Sequence, residues 1–229
     1  MDLTTLFDLF DKEEERRYQE SKKHEPYTAK KSNNRYQKAY EDFNKLYKNH
    51  KFGETSPTGE NLEAMKKYDI SIEEAAVVYM YTSHGVYDEV NRQLRNNPAK
   101  LDQDIEEYSN LLTQALNKLP SYNNEIVYRD IDSPDPNKEV LLNFFDRNIN
   151  TEITENAFMS SHIREGRWSD EENGLQLIIL TNSNSNGKDL RELSFNAHET
   201  EVLFKKGTRF RVENVDRDKN KVELTEVSK

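Results

Sequence analysis

The chain has 229 residues, enough for one large domain or two small ones, and its composition excludes several classes of protein. Its 43 Asp and Glu outnumber its 33 Lys and Arg, and the net charge of −10 argues against a general binder of nucleic acid or of anionic membranes. Because it has no cysteine, disulfides, a thiol nucleophile and a zinc–thiolate site are excluded.

The chain is polar but not disordered throughout. Charged residues make up 33% and the mean hydropathy is −1.04, yet 12 Tyr, 10 Phe and regular apolar spacing indicate a folded core. No segment resembles a membrane span, and the acidic start MDLTTLFDLFDKEEERR differs from the basic start of a secretory signal peptide. We therefore expect action in a cytoplasm, that of its own cell or that of a target cell reached by non-classical delivery.

The first 59 residues are predicted to form a helical extension. Apolar residues recur at helical spacing at its start and again, as an aromatic face, in residues 36–47. Residues 11–51 carry twelve basic and eight acidic side chains, a mixture that favours a packed helix over an RNA-binding segment. The run GETSPTG at residues 53–59 is typical of a linker. We therefore place a boundary between an extension, residues 1–59, and a main domain, residues 60–229.

Three helices are predicted to open the main domain. The first begins with a capping box, in which Ser71 is the N-cap and Glu74 reaches back to the N-cap backbone. Ser83-His84-Gly85 interrupts this helix, and a second one runs as far as residues 96–98 (NNP). Apolar residues at helical spacing from 101 to 119 predict a longer third helix, closed by a proline.

The pattern then changes to short strands. Residues 125–131 are rich in β-formers, a turn and a short apolar segment around residues 141–145 follow, and five further strands are predicted around residues 157–162, 175–180, 202–204, 210–212 and 222–224. Helices first and strands afterwards indicate an α+β fold, with a mixed or antiparallel sheet rather than a doubly wound one.

The common site motifs are missing from this sequence. There is no phosphate-binding glycine loop, no HExxH or other ligand-like histidine pair, and no GxSxG elbow, although composition alone leaves a Ser/His/Asp triad open. Three features remain: Arg129 at the end of a predicted strand, Ser160-Ser161 on a second, and Glu199-Thr200-Glu201 before a third. If the third strand includes both glutamates, their side chains share one face and repel each other. Two carboxylates this close occur at a polar, solvated strand end or in a functional site that uses them.

These features, in this order, resemble the mono-ADP-ribosyltransferase family, specifically its Arg-Ser-Glu group of bacterial toxins, effectors and phage enzymes. Four segments carry the resemblance and span about two-thirds of the chain: residues 81–95 (YTSHGVYDEVNRQLR), 127–129 (VYR), 158–162 (FMSSH), and 187–190 (GKDL) followed by 199–210 (ETEVLFKKGTRF). The resemblance implies a β-sandwich-like core behind N-terminal helices, and it implies NAD as the co-substrate without a metal.

The resemblance also implies a role for each residue of the candidate catalytic set. Glu201 faces the ribose as the nicotinamide bond breaks through an oxocarbenium-like state. Arg129 holds the NAD phosphates, and Ser160 orients Glu201. Glu199 grips the acceptor. Because family members that modify asparagine on small GTPases carry Gln at the position of Glu199, glutamate there points to arginine on a target protein as the acceptor.

Supporting residues follow from the same resemblance. Helical residues Tyr81 and Asn91 match positions that touch NAD, although the spacing between them is one residue longer here, and Phe195 matches an aromatic residue that contacts the acceptor. A loop after the second strand is expected to supply a second phosphate-binding arginine and an aromatic residue; its candidates are Arg164, Arg167 and Trp168.

Two positions depart from the family pattern. Asp130 puts an anion next to Arg129, and His162 replaces the third hydroxyl residue of the Ser160 strand. Three functions are therefore open: an arginine-specific transferase, an NAD glycohydrolase in which water replaces arginine, and a degenerate fold that only binds. Asp130 favours the last of these, and the intact Glu-x-Glu argues against it. We expect a monomer.

Overall fold

The computed structural model describes residues 59–82, 86–132, 137–165, 174–194 and 200–228. The predicted N-terminal extension lies outside these residues except for Gly59, where the first described helix begins. The domain boundary between residues 59 and 60 therefore stays a prediction.

Four helices precede the first strand: α1 (Gly59–Lys67), α2 (Ile72–Thr82), α3 (Val86–Asn96) and α4 (Gln103–Lys118). The predicted capping box starts α2, where the Ser71 backbone N–H donates to Glu74 Oε2 (2.7 Å) and the Glu74 backbone N–H donates to Ser71 Oγ (3.2 Å). Two donors of the first helical turn are thereby satisfied. The capping box and the three helices predicted for this region are confirmed. In the described part of the chain, every helix is too short or too polar to cross a membrane.

One eight-stranded sheet follows, with a helix inserted after its first strand. In chain order the elements are β1 (Ile126–Asp132), α5 (Asn137–Arg147), β2 (Glu152–Glu155), β3 (Met159–His162), β4 (Gly174–Leu180), β5 (Gly187–Asp189), β6 (Glu201–Phe204), β7 (Thr208–Asp216) and β8 (Lys221–Glu226). The order across the sheet is β2-β7-β8-β4-β1-β3-β6-β5, in which β4 and β8 run parallel and the other neighbours antiparallel. The predicted α+β class with a mixed sheet is confirmed.

Strand β6 contributes to two buried clusters. Leu203 packs with helices α1 to α4, together with residues such as Phe158 and Leu193. Val202 and Phe204 pack instead with strands β1, β4, β7 and β8 and with α5. Because strand side chains alternate, Glu201 lies on the face of Leu203, which the helices cover. The first residue of β6 is therefore held at the border between sheet and helical layer.

A buried lysine donates hydrogen bonds to two residues that closely follow α4, Leu119 and Ser121. Lys188 Nζ donates to the Leu119 carbonyl (3.1 Å) and to Ser121 Oγ (2.7 Å), and the residue is only 5% exposed. Burial and, secondarily, the nearby charge of Lys205 lower the pKa of Lys188 from 10.5 to about 8. The folded chain thus releases this proton at a lower pH than the unfolded chain.

This difference predicts a pH-dependent stability. Between the two pKa values the unfolded chain holds a proton that the folded chain lacks, so the free energy of unfolding rises as the pH rises. Relative to Lys188→Met, the wild type should gain roughly 2–3 kcal/mol between about pH 7 and pH 10.5, measured by urea denaturation. If both proteins changed equally with pH, the lysine would not be desolvated as described.

Candidate active site

A serine and a glutamate meet where β3 pairs with β6. The antiparallel register places Ser160 opposite Leu203 and His162 opposite Glu201, so all four side chains share one face. Ser160 Oγ donates to Glu201 Oε1 at 2.7 Å, and Glu201 is 6% exposed. A hydroxyl that donates to a carboxylate makes a strong, charge-assisted bond and fixes the rotamer of the acid. The contact that the resemblance implied between these residues is present.

Arg129 reaches the same place from the neighbouring strand. Its side chain leaves β1, and Nη1 donates to the Ser160 carbonyl at 2.8 Å. The guanidinium is therefore tied to the backbone of the residue whose hydroxyl holds Glu201. The structure brings Arg129, Ser160 and Glu201 together at adjacent strands.

Asp130 and Arg129 lie on opposite faces of β1. Asp130 lies opposite Gln176 in the β1–β4 register, and Gln176 Nε2 donates to its Oδ1 at 2.9 Å. Because neighbouring strand residues point to opposite faces, the carboxylate of Asp130 and the guanidinium of Arg129 leave the sheet on different sides. The anion that favoured a merely binding role does not share the face of Arg129.

The two helical candidates, Tyr81 and Asn91, are buried beside the site. Asn91 Nδ2 donates to the Tyr81 hydroxyl (3.0 Å), and Asn91 Oδ1 accepts from the Phe158 backbone N–H (3.2 Å). Burial raises the pKa of Tyr81, the Asn91 hydrogen bond lowers it, and the charges of Glu201 and Arg129 act on it in opposite directions. Both residues join the helical layer to the start of β3, and contact with NAD stays a prediction for them.

The sequence did not indicate a buried ion pair that supports the same connection. Arg95 Nε donates to Glu155 Oε1 at 3.1 Å, with side chains 3% and 1% exposed. Glu155 Oε1 also accepts from the Ala157 backbone N–H (2.8 Å), so α3 is fastened to the segment between β2 and β3. Leu94-Arg95 belongs to a motif quoted above, but nothing in the sequence marks a glutamate 60 residues later as its partner.

The remaining candidates are not brought to the site by the described structure. Arg164 is exposed two residues beyond β3. Four others lie outside the described residues: Arg167, Trp168, Phe195 and Glu199. Their roles stay predictions. Among the residues described, no group of three or more His, Asp or Glu could hold a metal ion.

The shared face expected for Glu199 and Glu201 depended on a strand that includes both. Strand β6 begins at Glu201, and Thr200 before it has a positive φ of 47°. Strand alternation therefore stops at Glu201 and does not determine the direction of Glu199.

Comparisons with known proteins identify relatives. The family model described as ADP-ribosyltransferase exoenzyme matches residues 56–229. The NAD(+)--protein-arginine ADP-ribosyltransferase Tre1 of Serratia proteamaculans is 28% identical over 143 residues, which are 62% of this chain and 29% of that protein. The chain thus spans less than a third of the length of this relative.

Solved structures share the fold. HopU1 of Pseudomonas syringae pv. Tomato DC3000, an ADP-ribosyltransferase, superposes with a TM-score of 0.65 at 19% identity, covering 89% of this chain and 99% of that one. The Clostridium limosum C3 exoenzyme gives 0.59 at 18% identity, with 74% and 91% covered. C3stau2 of S. aureus, solved with NAD, gives 0.56 at 20% identity, with 73% and 91% covered. At these identities the likeness is one of fold.

Proposed function

This chain belongs to the ADP-ribosyltransferase exoenzyme family, and we propose that it transfers ADP-ribose from NAD to arginine side chains of a target protein. The observation that carries the proposal is the meeting of Arg129, Ser160 and Glu201 on adjacent strands. A guanidinium bonded to the backbone of the serine whose hydroxyl holds a carboxylate fits a ligand that has both a diphosphate and a ribose. The name of the relative Tre1 supports arginine as the acceptor.

Glu201 acts on the bond that breaks. The bond between C1′ of the ribose and the nicotinamide nitrogen is cleaved, its electron pair leaves with nicotinamide, and positive charge develops on the ribose. A carboxylate already fixed by Ser160 stabilises that charge without having to reorganise, and it can accept a hydrogen bond from a ribose hydroxyl. The low exposure of Glu201 strengthens this interaction, because little water screens it.

Arg129 holds the part of NAD that does not react. The planar guanidinium suits phosphate oxygens, and its bond to the Ser160 carbonyl fixes the distance between phosphate binding and Glu201. Binding energy from the phosphates then orients the ribose toward the carboxylate.

Glu199 acts on the bond that forms. An arginine nitrogen bonds to C1′, and the guanidinium loses one proton in the step. Since a free guanidinium is almost always protonated, it must be gripped and oriented by a carboxylate as it attacks. In this proposal Glu199 provides that carboxylate.

One incubation tests the proposal. Wild-type protein is mixed with NAD labelled in its ADP-ribose part and with a cell lysate, and labelled protein and free ADP-ribose are both quantified. Label on a protein band supports transfer. Free ADP-ribose without a labelled band supports a glycohydrolase instead, and no NAD cleavage at all would leave only a binding role.

The hydroxyl of Ser160 gives a separate prediction. Ser160→Ala removes the 2.7 Å bond to Glu201, so kcat should fall about 10- to 100-fold while KM for NAD changes little. The readout is the initial rate of nicotinamide release over a range of NAD concentrations.

Ser161→Ala is the matched control for this variant. The neighbouring hydroxyl donates to the Val202 carbonyl (2.8 Å) and is fully buried on the other face of β3. Its removal should cost about 1 kcal/mol of stability and leave kcat near wild type. If Ser161→Ala lowered kcat as strongly as Ser160→Ala, the loss would reflect damage to β3 rather than to the acid.

A further inference from the structure

A histidine faces Glu201 across the sheet. In the β3–β6 register His162 lies directly opposite Glu201, and in the β1–β3 register Tyr128 lies directly opposite His162. Because residues paired in this way share a face, Tyr128, His162 and Glu201 form a row across three adjacent strands. The sequence marked His162 only as a departure from the third hydroxyl residue of the Ser160 strand. The sheet places that departure beside the carboxylate of the candidate site.

Backbone hydrogen bonds show how closely His162 and Glu201 approach each other. The Leu190 backbone N–H donates to the Glu201 carbonyl (3.0 Å), so the backbone of Glu201 is directed toward β5 and away from β3. On the β3 side the bond is made one residue away, from the Ile163 backbone N–H to the Thr200 carbonyl (3.2 Å). His162 and Glu201 are therefore a non-hydrogen-bonded pair, the kind in which Cα atoms lie about 4.5 Å apart and side chains are closest.

Glu201 thus has two polar neighbours on β3. Ser160 Oγ donates to Glu201 Oε1 at 2.7 Å from the diagonal position, and His162 projects from the position directly opposite. Glu201 is buried, whereas His162 is half-buried and can exchange protons with water. An imidazole N–H is a suitable donor to a carboxylate, and histidine is the side chain that changes charge between about pH 5 and pH 8.

Other ionisable side chains lie near this row, but they are of kinds that ordinarily titrate outside that range. They are phenols, guanidiniums and a carboxylate: Tyr128, Arg129 and Asp130 on β1, Arg164 after β3, and Tyr81 on α2. A change of charge beside Glu201 near neutral pH is therefore assigned to His162.

We propose that His162 is a positioning residue for Glu201, which holds the carboxylate as a hydrogen-bond donor and controls its effective charge at the ribose. This role rests on the proposed function of Glu201. Neutral imidazole donates one N–H and leaves the negative charge of the carboxylate intact. An imidazolium also donates, but its positive charge offsets the field of the carboxylate at the developing ribose cation. NAD cleavage should therefore be faster when His162 is neutral, whether arginine or water accepts the ADP-ribose.

Two substitutions separate hydrogen bonding from protonation. His162→Gln keeps an N–H donor without a group that titrates near neutral pH, and His162→Leu keeps neither. For the wild type and both variants, kcat and KM for nicotinamide release from NAD are measured between about pH 5.5 and pH 8.5. The melting temperature at each pH shows whether the proteins are folded.

We expect the wild-type kcat to rise about three- to tenfold over this range while KM for NAD stays nearly constant. His162→Gln should lose the rise and stay within about threefold of the wild-type kcat at the alkaline end. His162→Leu should be about tenfold slower at every pH, because Glu201 loses a donor. A rise that persists in His162→Gln, a wild-type kcat that is flat or falls with pH, or equal kcat values in the two variants would overturn the proposal.

A titration followed by NMR tests the pairing without any catalysis. The His162 resonance of histidine-labelled protein is identified by its absence from His162→Gln and is followed against pH. In Glu201→Gln its titration midpoint should fall by about one pH unit, because a neighbouring carboxylate favours the imidazolium. An unchanged midpoint would refute the role of His162 even in an active enzyme. Wild-type protein that releases no nicotinamide at any pH would instead contradict the proposed function.

Discussion

Glu201→Gln is expected to lower nicotinamide release and protein labelling together, each by about 1,000-fold or more. The change removes the negative charge that the proposed function places at the ribose and keeps the size of the side chain. A fixed group that stabilises developing charge in a site with little water commonly contributes two to three orders of magnitude, and here both reactions share the same bond cleavage. Initial rates of both products, measured on the same samples, test this expectation.

Two observations keep a loss in Glu201→Gln interpretable. The amide oxygen of glutamine can still accept from Ser160 Oγ, so the melting temperature should stay close to that of the wild type. Glu223→Gln is the matched control, because it makes the same change at an exposed position of β8. Substantial nicotinamide release by a folded Glu201→Gln protein would assign the cleavage to another group.

Glu199→Gln is expected to lower ADP-ribose transfer to protein while leaving NAD hydrolysis largely intact. Transfer to protein should fall about 100-fold, because the amide cannot form the charge-assisted bonds that grip a guanidinium. Nicotinamide release in the absence of an acceptor should remain within several-fold of the wild type, because Glu201, Ser160 and Arg129 are untouched. Labelled protein and free ADP-ribose, quantified from one reaction, give both rates.

Glu192→Gln serves as the control for that variant. It lies in the segment between β5 and β6, and its carboxylate pairs with Lys67 at 3.4 Å with both side chains at least half exposed. Such a pair contributes little to stability, so both activities should be unchanged. Equal losses of transfer and hydrolysis in Glu199→Gln would disprove a division of labour between the two glutamates.

Features set by neighbouring residues were predictable from the sequence. The capping box of Ser71 and Glu74 depends on residues three apart, and both of its hydrogen bonds are present. The helix limits near Asn96 and Lys118 followed from prolines and apolar periodicity. The order of helices before strands was enough to indicate a mixed α+β fold.

Features set by distant residues were not predictable. Strand β2 (Glu152–Glu155) has a single apolar residue, and β5 (Gly187–Asp189) has three residues; both exist because β7 and β6 supply their hydrogen bonds. Helix α5 was foreseen only as an apolar segment. The Arg95–Glu155 pair likewise joins elements that only the tertiary structure brings together.

The candidate site also combines features that the sequence predicted with features that depend on the tertiary structure. The Ser160–Glu201 contact agrees with the motif resemblance, since both residues lie on strands of the expected kind. The hydrogen-bond partner of Asp130 is Gln176 on another strand, and this pairing could not be predicted from the sequence. The left-handed Thr200 could not be foreseen, because a β-branched residue before an apolar run reads as strand.

Transfer of ADP-ribose to arginine is tested most directly by identifying the modified residue in a labelled target protein. Lysate protein labelled by the wild type would be isolated, digested and analysed by mass spectrometry, with protein treated by Glu201→Gln as the blank. We expect ADP-ribose attached to an arginine side chain in the wild-type sample and its absence from the blank. ADP-ribose on asparagine or another residue type, or labelling that persists with Glu201→Gln, would contradict it.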